Sequence, residues 1–225
     1  MIRLALLLAA CAAGSACGRD LPAAPPSPPV PTTLNRAEVI DALDYWRDAV
    51  GISYLIVTLG GPNLLVRPGT DGLGTQGGGR GGISATDDDD NEIRGGLVVI
   101  EPGGGQYCRG NAVQCRYLYR HEIGHALGFS GHSGLAGALM QSGSDRLHER
   151  ERAMMAGLYS LPFAAKVSRD GSWVVAATGA TGQLDVQVAN DIVDWNMLPS
   201  GSASFRSREV IARWALPVPV YLQDR

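Results

Sequence analysis

Three of the four histidines in this 225-residue chain fall close together, at His121, His125 and His132. His121 and His125 are four positions apart, which places both imidazoles on one helix face, one turn from each other. Two rings so placed reach a single Zn²⁺ at about 2.0–2.1 Å. Glu122 follows the first histidine by one residue and is rotated off that face. It is poorly placed as a third ligand but can reach a water on the metal. This matches the H-E-x-x-H pattern, in which the glutamate is a general base. A third ligand cannot come from the same straight helix, which would carry the chain past the ion. Gly128 can take positive φ and end the helix sharply, so that His132 approaches from another side. Three neutral imidazoles leave one position open to solvent, the arrangement of a catalytic zinc rather than a structural one.

The element that must carry the first two ligands is a helix from about Val113 to Leu127. Tyr119, Ile123 and Leu127, with Ala126 beside them, form its core stripe, and His121 and His125 point to the opposite side. Just before it, Cys108 and Cys115 flank "RGNAVQ". In an exported chain such a pair most simply forms a disulfide, here clipping the loop that feeds the helix. Further upstream, Asn35 and Glu38 stand as in a capping box before a helix with Val39, Leu43, Trp46 and Val50 on one face and Gly51 as its stop. Strands are expected over Ile52–Leu59 and Gly96–Pro102. Residues 60–96 give no clear periodicity. Their glycine run reads as flexible, and Asp87–Asp90 is either a solvated acidic loop or a set of calcium ligands.

The stretch "HEIGHALGFSGHS" resembles the long zinc motif of the metzincin proteases, and "HEIGHALG" is especially similar to the matrixin branch. That family writes H-E-x-x-H-x-x-G-x-x-H followed by a Met-turn. Here Gly131 stands where the family has its third ligand, and His132 comes one place later. "HSGLAGALM" resembles the run to the Met-turn, which makes Met140 the methionine beneath the metal. "LHERERAMMAGLYSLP" (Leu147 to Pro162) resembles the closing helix of matrixin catalytic domains, with Met154 and Met155 in its core and His148 on its surface. The resemblance covers residues 113–162 well and the upstream half loosely. It implies an α+β fold: a twisted mixed sheet, an active-site helix, a Met-turn and a C-terminal helix. Matrixins often carry a second, histidine-lined zinc, but no histidine precedes His121. Calcium stays open.

The N-terminus reads as export. Arg3 precedes an apolar run from Leu4 to Ala13, shorter than the roughly 20 residues of a membrane-spanning helix. "LAAC" resembles a bacterial lipobox ending at Cys11, and "SAC" offers Cys17 as the second lipidation candidate; a plain cleaved signal is the alternative. "PAAPPSPPVPTT" then reads as a semi-rigid spacer. A net charge of −3 gives no electrostatic case for nucleic acid. The expected organisation is a signal or lipobox over 1–17, a linker over 18–34, a zinc protease domain over 35–162 and a β-rich accessory segment over 163–225. In that last segment Asp170-Gly171 marks a hairpin, "LDVQVA" and "PVPVYL" read as strands, and Trp173, Trp195 and Trp214 are expected to pack the unit together.

These readings lead to a zinc-dependent endopeptidase, exported and lipid-anchored at an outer membrane or cell surface, otherwise periplasmic or secreted. It is expected to act as a monomer on peptide or protein, with Glu122 taking the proton of a zinc-bound water. Substrate would lie along an edge strand, for which Leu97–Ile100 is the candidate. The alternatives are a zinc hydrolase of a non-protein substrate and a surface lipoprotein whose zinc is structural or inactive.

Overall fold

The computed structural model describes residues 33–58, 61–73, 77–87, 89–141, 143–196 and 210–224. Cys11, Cys17 and the spacer before residue 33 lie outside the described residues. Helix α1 (Arg36–Val50) buries Val39, Ala42, Leu43 and Trp46, and Gly51 closes it in the left-handed region. Asn35 precedes it but makes no side-chain cap, so the capping box expected with Glu38 does not form.

Strands β1 (Tyr54–Ile56), β2 (Asn63–Pro68), β3 (Gly79–Thr86) and β4 (Ile93–Ile100) follow. A 3₁₀ turn (Pro102–Cys108) leads into α2 (Ala112–Ala126), and α3 (Glu149–Ser160) comes after the histidine loop. The chain ends with β5 (Ala165–Val167), β6 (Ser172–Val175), β7 (Ala180–Gln183), α4 (Val186–Trp195) and β8 (Val218–Leu222). The result is a mixed α+β fold with a five-stranded mixed sheet in the order β1-β8-β2-β4-β3 and a three-stranded antiparallel sheet, β5-β6-β7. In the larger sheet only β3 runs antiparallel to its neighbour. Val98, Val99 and Ile100 are all buried, as suits a strand paired on both sides and covered on both faces. No helix among the described residues is long and apolar enough to cross a membrane.

Three expectations are corrected here. The glycine run at residues 69–82, expected to be flexible, ends inside β3, and β2 directly precedes it; both strands belong to the main sheet. Leu97–Ile100 is not an edge: β4 lies between β2 and β3, and the edges are β1 and β3. "LDVQVA" is not a strand but the start of α4, whose N-cap Asp185 accepts from the amides of Gln187 and Val188. The described residues of segment 163–225 pack with the rest of the fold. The segment's last strand, β8, is inserted between β1 and β2, and its buried side chains belong to one core with those of α1 and α2. Apolar surface drives this: Val218, Val220 and Leu222 alternate inward and have no other core to enter. The expected hairpin at Asp170-Gly171 is present between β5 and β6.

Candidate metal centre

Helix α2 begins at Asn111, whose side chain accepts from the Gln114 amide. Cys108 and Cys115 are joined by a disulfide across this entry, with Cα atoms 4.3 Å apart. The helix is buried on both sides, a difference from the one-sided reading of its sequence. Leu118, Tyr119 and Ile123 enter the core, and His121, Glu122 and His125 are also covered. Strand β3 forms part of that cover. It comes so close that a Cβ on Gly81 would lie 1.8 Å from the carbonyl oxygen of Glu122. Only glycine allows this approach, and the Gly81 amide hydrogen-bonds the Glu122 carboxylate.

The helix ends where expected. Gly128 has φ of 119°, and the chain turns back toward the helix. Three successive carbonyls at this end, orphaned by the end of the helical ladder, find side-chain donors from downstream elements. Trp214 Nε1 donates to Ala126 O at 2.9 Å, Tyr159 Oη to Leu127 O at 2.8 Å, and Asn196 Nδ2 to Gly128 O at 2.6 Å. Trp214 therefore packs against the site-bearing helix, and Trp195 stacks on Phe129 in the loop after it, rather than within a small β unit.

His121, His125 and His132 come together, with their candidate ligand atoms all within 4.8 Å of one another. His121 Nδ1 lies 2.8 Å from the carbonyl oxygen of Leu139, and His125 Nδ1 lies 2.6 Å from that of Phe129. A carbonyl only accepts, so both Nδ1 atoms carry the proton and both Nε2 atoms present a lone pair. Those two Nε2 atoms stand 3.0 Å apart. With no proton between them they repel, unless a cation sits against both. Donor nitrogens around a tetrahedral zinc stand about 3.3 Å apart for Zn–N bonds of about 2.05 Å. His132, on the exposed side, turns its ring toward the pair at centroid distances of 5.3 Å from His121 and 5.0 Å from His125. The donor set and its tautomers fit a metal ion that prefers imidazole nitrogen.

Burial pushes His121 down to about 4 and His125 down to about 3, so both stay neutral and able to ligate well into acid. Burial pushes Glu122 the other way, up to about 7, against the opposing hydrogen bond from Gly81. The metal-free protein then has a distinctive pH dependence. Between pH 4.5 and 7 the folded protein keeps a proton on Glu122 that the unfolded chain has lost, so this group lowers stability as pH rises through that window. Glu122→Gln is expected to leave chelator-treated protein unchanged below pH 4.5 and to stabilise it progressively up to pH 7, level above. Thermal melts of the two forms across this range check it; a pH-independent difference would contradict the buried carboxyl. The two histidines act with the opposite sign: the stability of their neutral form is lost as pH falls from 6.5 toward 3.

Met140 is fully buried, and its Sδ would lie 2.7 Å from a Cβ on Gly124, between the two helical histidines. The sequence reading missed what holds this methionine in place. Glu151, on α3 and fully buried, accepts from the amides of Leu139 at 3.2 Å, Met140 at 2.9 Å and His148 at 2.9 Å. Exposed His148 caps α3 through Nδ1 in the same capping box. The carboxylate thus fixes the peptide whose carbonyl orients His121. Glu151→Ala leaves three amides without a partner, each costing about 1–3 kcal/mol when buried. Chemical denaturation is expected to show a loss of about 3 kcal/mol or more, and a loss under about 1 kcal/mol would remove Glu151 from this role.

Two described carboxylates of the acidic stretch are engaged locally. Asp87 and Asp90 accept from amides of their own turn, and Arg94 pairs with Asp87 and Glu92. Among the described residues the three histidines are the group that could hold a metal. Compared with family models, with curated proteins and with solved structures, the chain finds no match.

Proposed function

We propose that this protein is a zinc-dependent endopeptidase of the metzincin kind, exported and held at a membrane by lipid on Cys11 or Cys17. The observation that carries the reading is the pair of lone-pair nitrogens of His121 and His125, facing each other in a buried site with a third imidazole beside them. Glu122 adds what a purely structural site has no need of, a carboxylate next to the ligands.

His121, His125 and His132 would hold the zinc, with Met140 packed beneath. Zinc, when bound, supplies a Lewis acid that polarises a carbonyl and makes water a nucleophile near neutral pH. Glu122 accepts the proton of the attacking water and passes it to the departing amine. Strand β3 is an antiparallel edge running past Glu122, and an extended peptide added to it would bring its backbone to the base. This replaces Leu97–Ile100 as the substrate-binding strand.

The test is cleavage of casein or gelatin by purified protein. Activity is expected to disappear with a chelator and return with zinc. Hydrolysis that persists after chelation, or zinc-loaded protein that cleaves neither, would overturn the reading.

A further inference from the structure

The spacing from His125 to His132 is one residue longer than in the motif it resembles, and the four residues between Leu127 and His132 would be free to wander in an unsupported loop. Each of them is instead tied to the last two residues of the α4 region. Asn196 Nδ2 donates to Gly128 O at 2.6 Å. The Phe129 ring stacks on Trp195, with centroids 5.4 Å apart and planes 17° apart. Ser130 Oγ donates to Asn196 O at 3.0 Å, and Gly131 N donates to Trp195 O at 3.0 Å.

Asn196 is itself held from the opposite side. Its Nδ2 also donates to Ala212 O at 2.8 Å, and its Oδ1 accepts from Ala212 N at 3.0 Å. The amide is 1 % exposed, with both donors and its acceptor in use. Only an amide satisfies this arrangement, since two of its partners are carbonyl oxygens and one is an N–H. The loop so gripped also supplies Phe129 O, which orients His125.

We propose that Asn196, with Trp195, is a positioning residue for the metal site: it sets the loop that aims His132 and, through Phe129, the ring of His125. The inference rests on the zinc reading above and extends it to residues outside the recognised motif. It assigns α4 and the segment at Ala212 a part in metal binding, not only in the core.

Zinc affinity, measured by competition with a chelating dye, tests this without reference to activity. Asn196→Asp keeps the shape and sets a carboxylate oxygen against two carbonyl oxygens. It is expected to weaken zinc binding by about 10–100-fold, the usual loss for an outer-shell partner, and to alter the visible spectrum of the cobalt-substituted protein. Ser130→Ala removes one tie alone and is expected to give a smaller loss in the same direction; it serves if Asn196→Asp does not fold. Asp191→Asn is the comparison for burial, because Asp191 is 2 % exposed on the same helix but pairs with Arg150 instead of the loop. It is expected to lower the melting temperature and leave zinc affinity unchanged. Wild-type affinity in Asn196→Asp, or in Ser130→Ala if the former is unfolded, overturns the proposal, as does an equal loss in Asp191→Asn. A wild type that takes up no zinc removes the metal reading itself and is seen first.

Discussion

Glu122→Gln is expected to bring peptide hydrolysis down by roughly 10²–10⁴-fold while zinc stays bound, the range a positioned general base contributes. The substitution keeps the side chain's size and its ability to accept from the Gly81 amide, so α2 and β3 keep their close contact. What it removes is a carboxylate that stands beside the three candidate ligands without being one of them. His121 and His125 have their Nδ1 protons committed to carbonyls and their Nε2 lone pairs committed to the ion. Turnover of a casein substrate, measured beside the zinc content of the same samples, checks both halves. Unchanged hydrolysis in the variant would contradict the base assignment, whereas lost zinc would make the carboxylate part of the metal-binding set.

His132→Ala has the second large effect. The two helical histidines alone define a line of approach, not an enclosed site, and the third imidazole completes the triangle. The variant is expected to lose more zinc affinity than the roughly 10–100-fold that an outer-shell change causes, and to lose activity with it. Its fold should persist, because His132 is exposed and the loop before it is anchored by Trp195 and Asn196. Zinc titration and a thermal melt of metal-free protein separate the two. Wild-type zinc affinity in this variant would mean that another donor fills the third position.

How far the molecule was legible in its sequence follows from what each element is made of. Helices α1 and α2 announce themselves by apolar periodicity, α3 by its resemblance to a closing helix, and the hairpin at Asp170-Gly171 by its turn residues. The candidate site was legible because helical spacing of histidines has one geometric meaning, and because Gly128 marks the turn that follows. Strand β3 was hidden for a physical reason. Gly79 and Gly81 let it lie against Glu122, and a strand with side chains absent at those positions shows no alternation. Helix α4 was misread because "LDVQVA" alternates over six residues, although Asp185 as a cap and the later Ala189, Ile192 and Trp195 carry the helical period. Glu151 was lost in the charged run "RLHERER". One buried carboxylate among solvated neighbours has no compositional mark, and only the three amides it meets reveal it. The place of β8 in the middle of the main sheet could not be read at all, since pairing between residues 64 and 220 is a property of the folded chain.

The most direct measurement is X-ray absorption at the zinc edge of wild-type protein loaded with one equivalent of the metal. Three imidazole nitrogens and one further light donor from solvent, at about 2.0–2.1 Å, are expected. A first shell with two imidazoles, or with none, would mean that the rings at 121, 125 and 132 do not share an ion, and the hydrolytic chemistry built on them would fall with it.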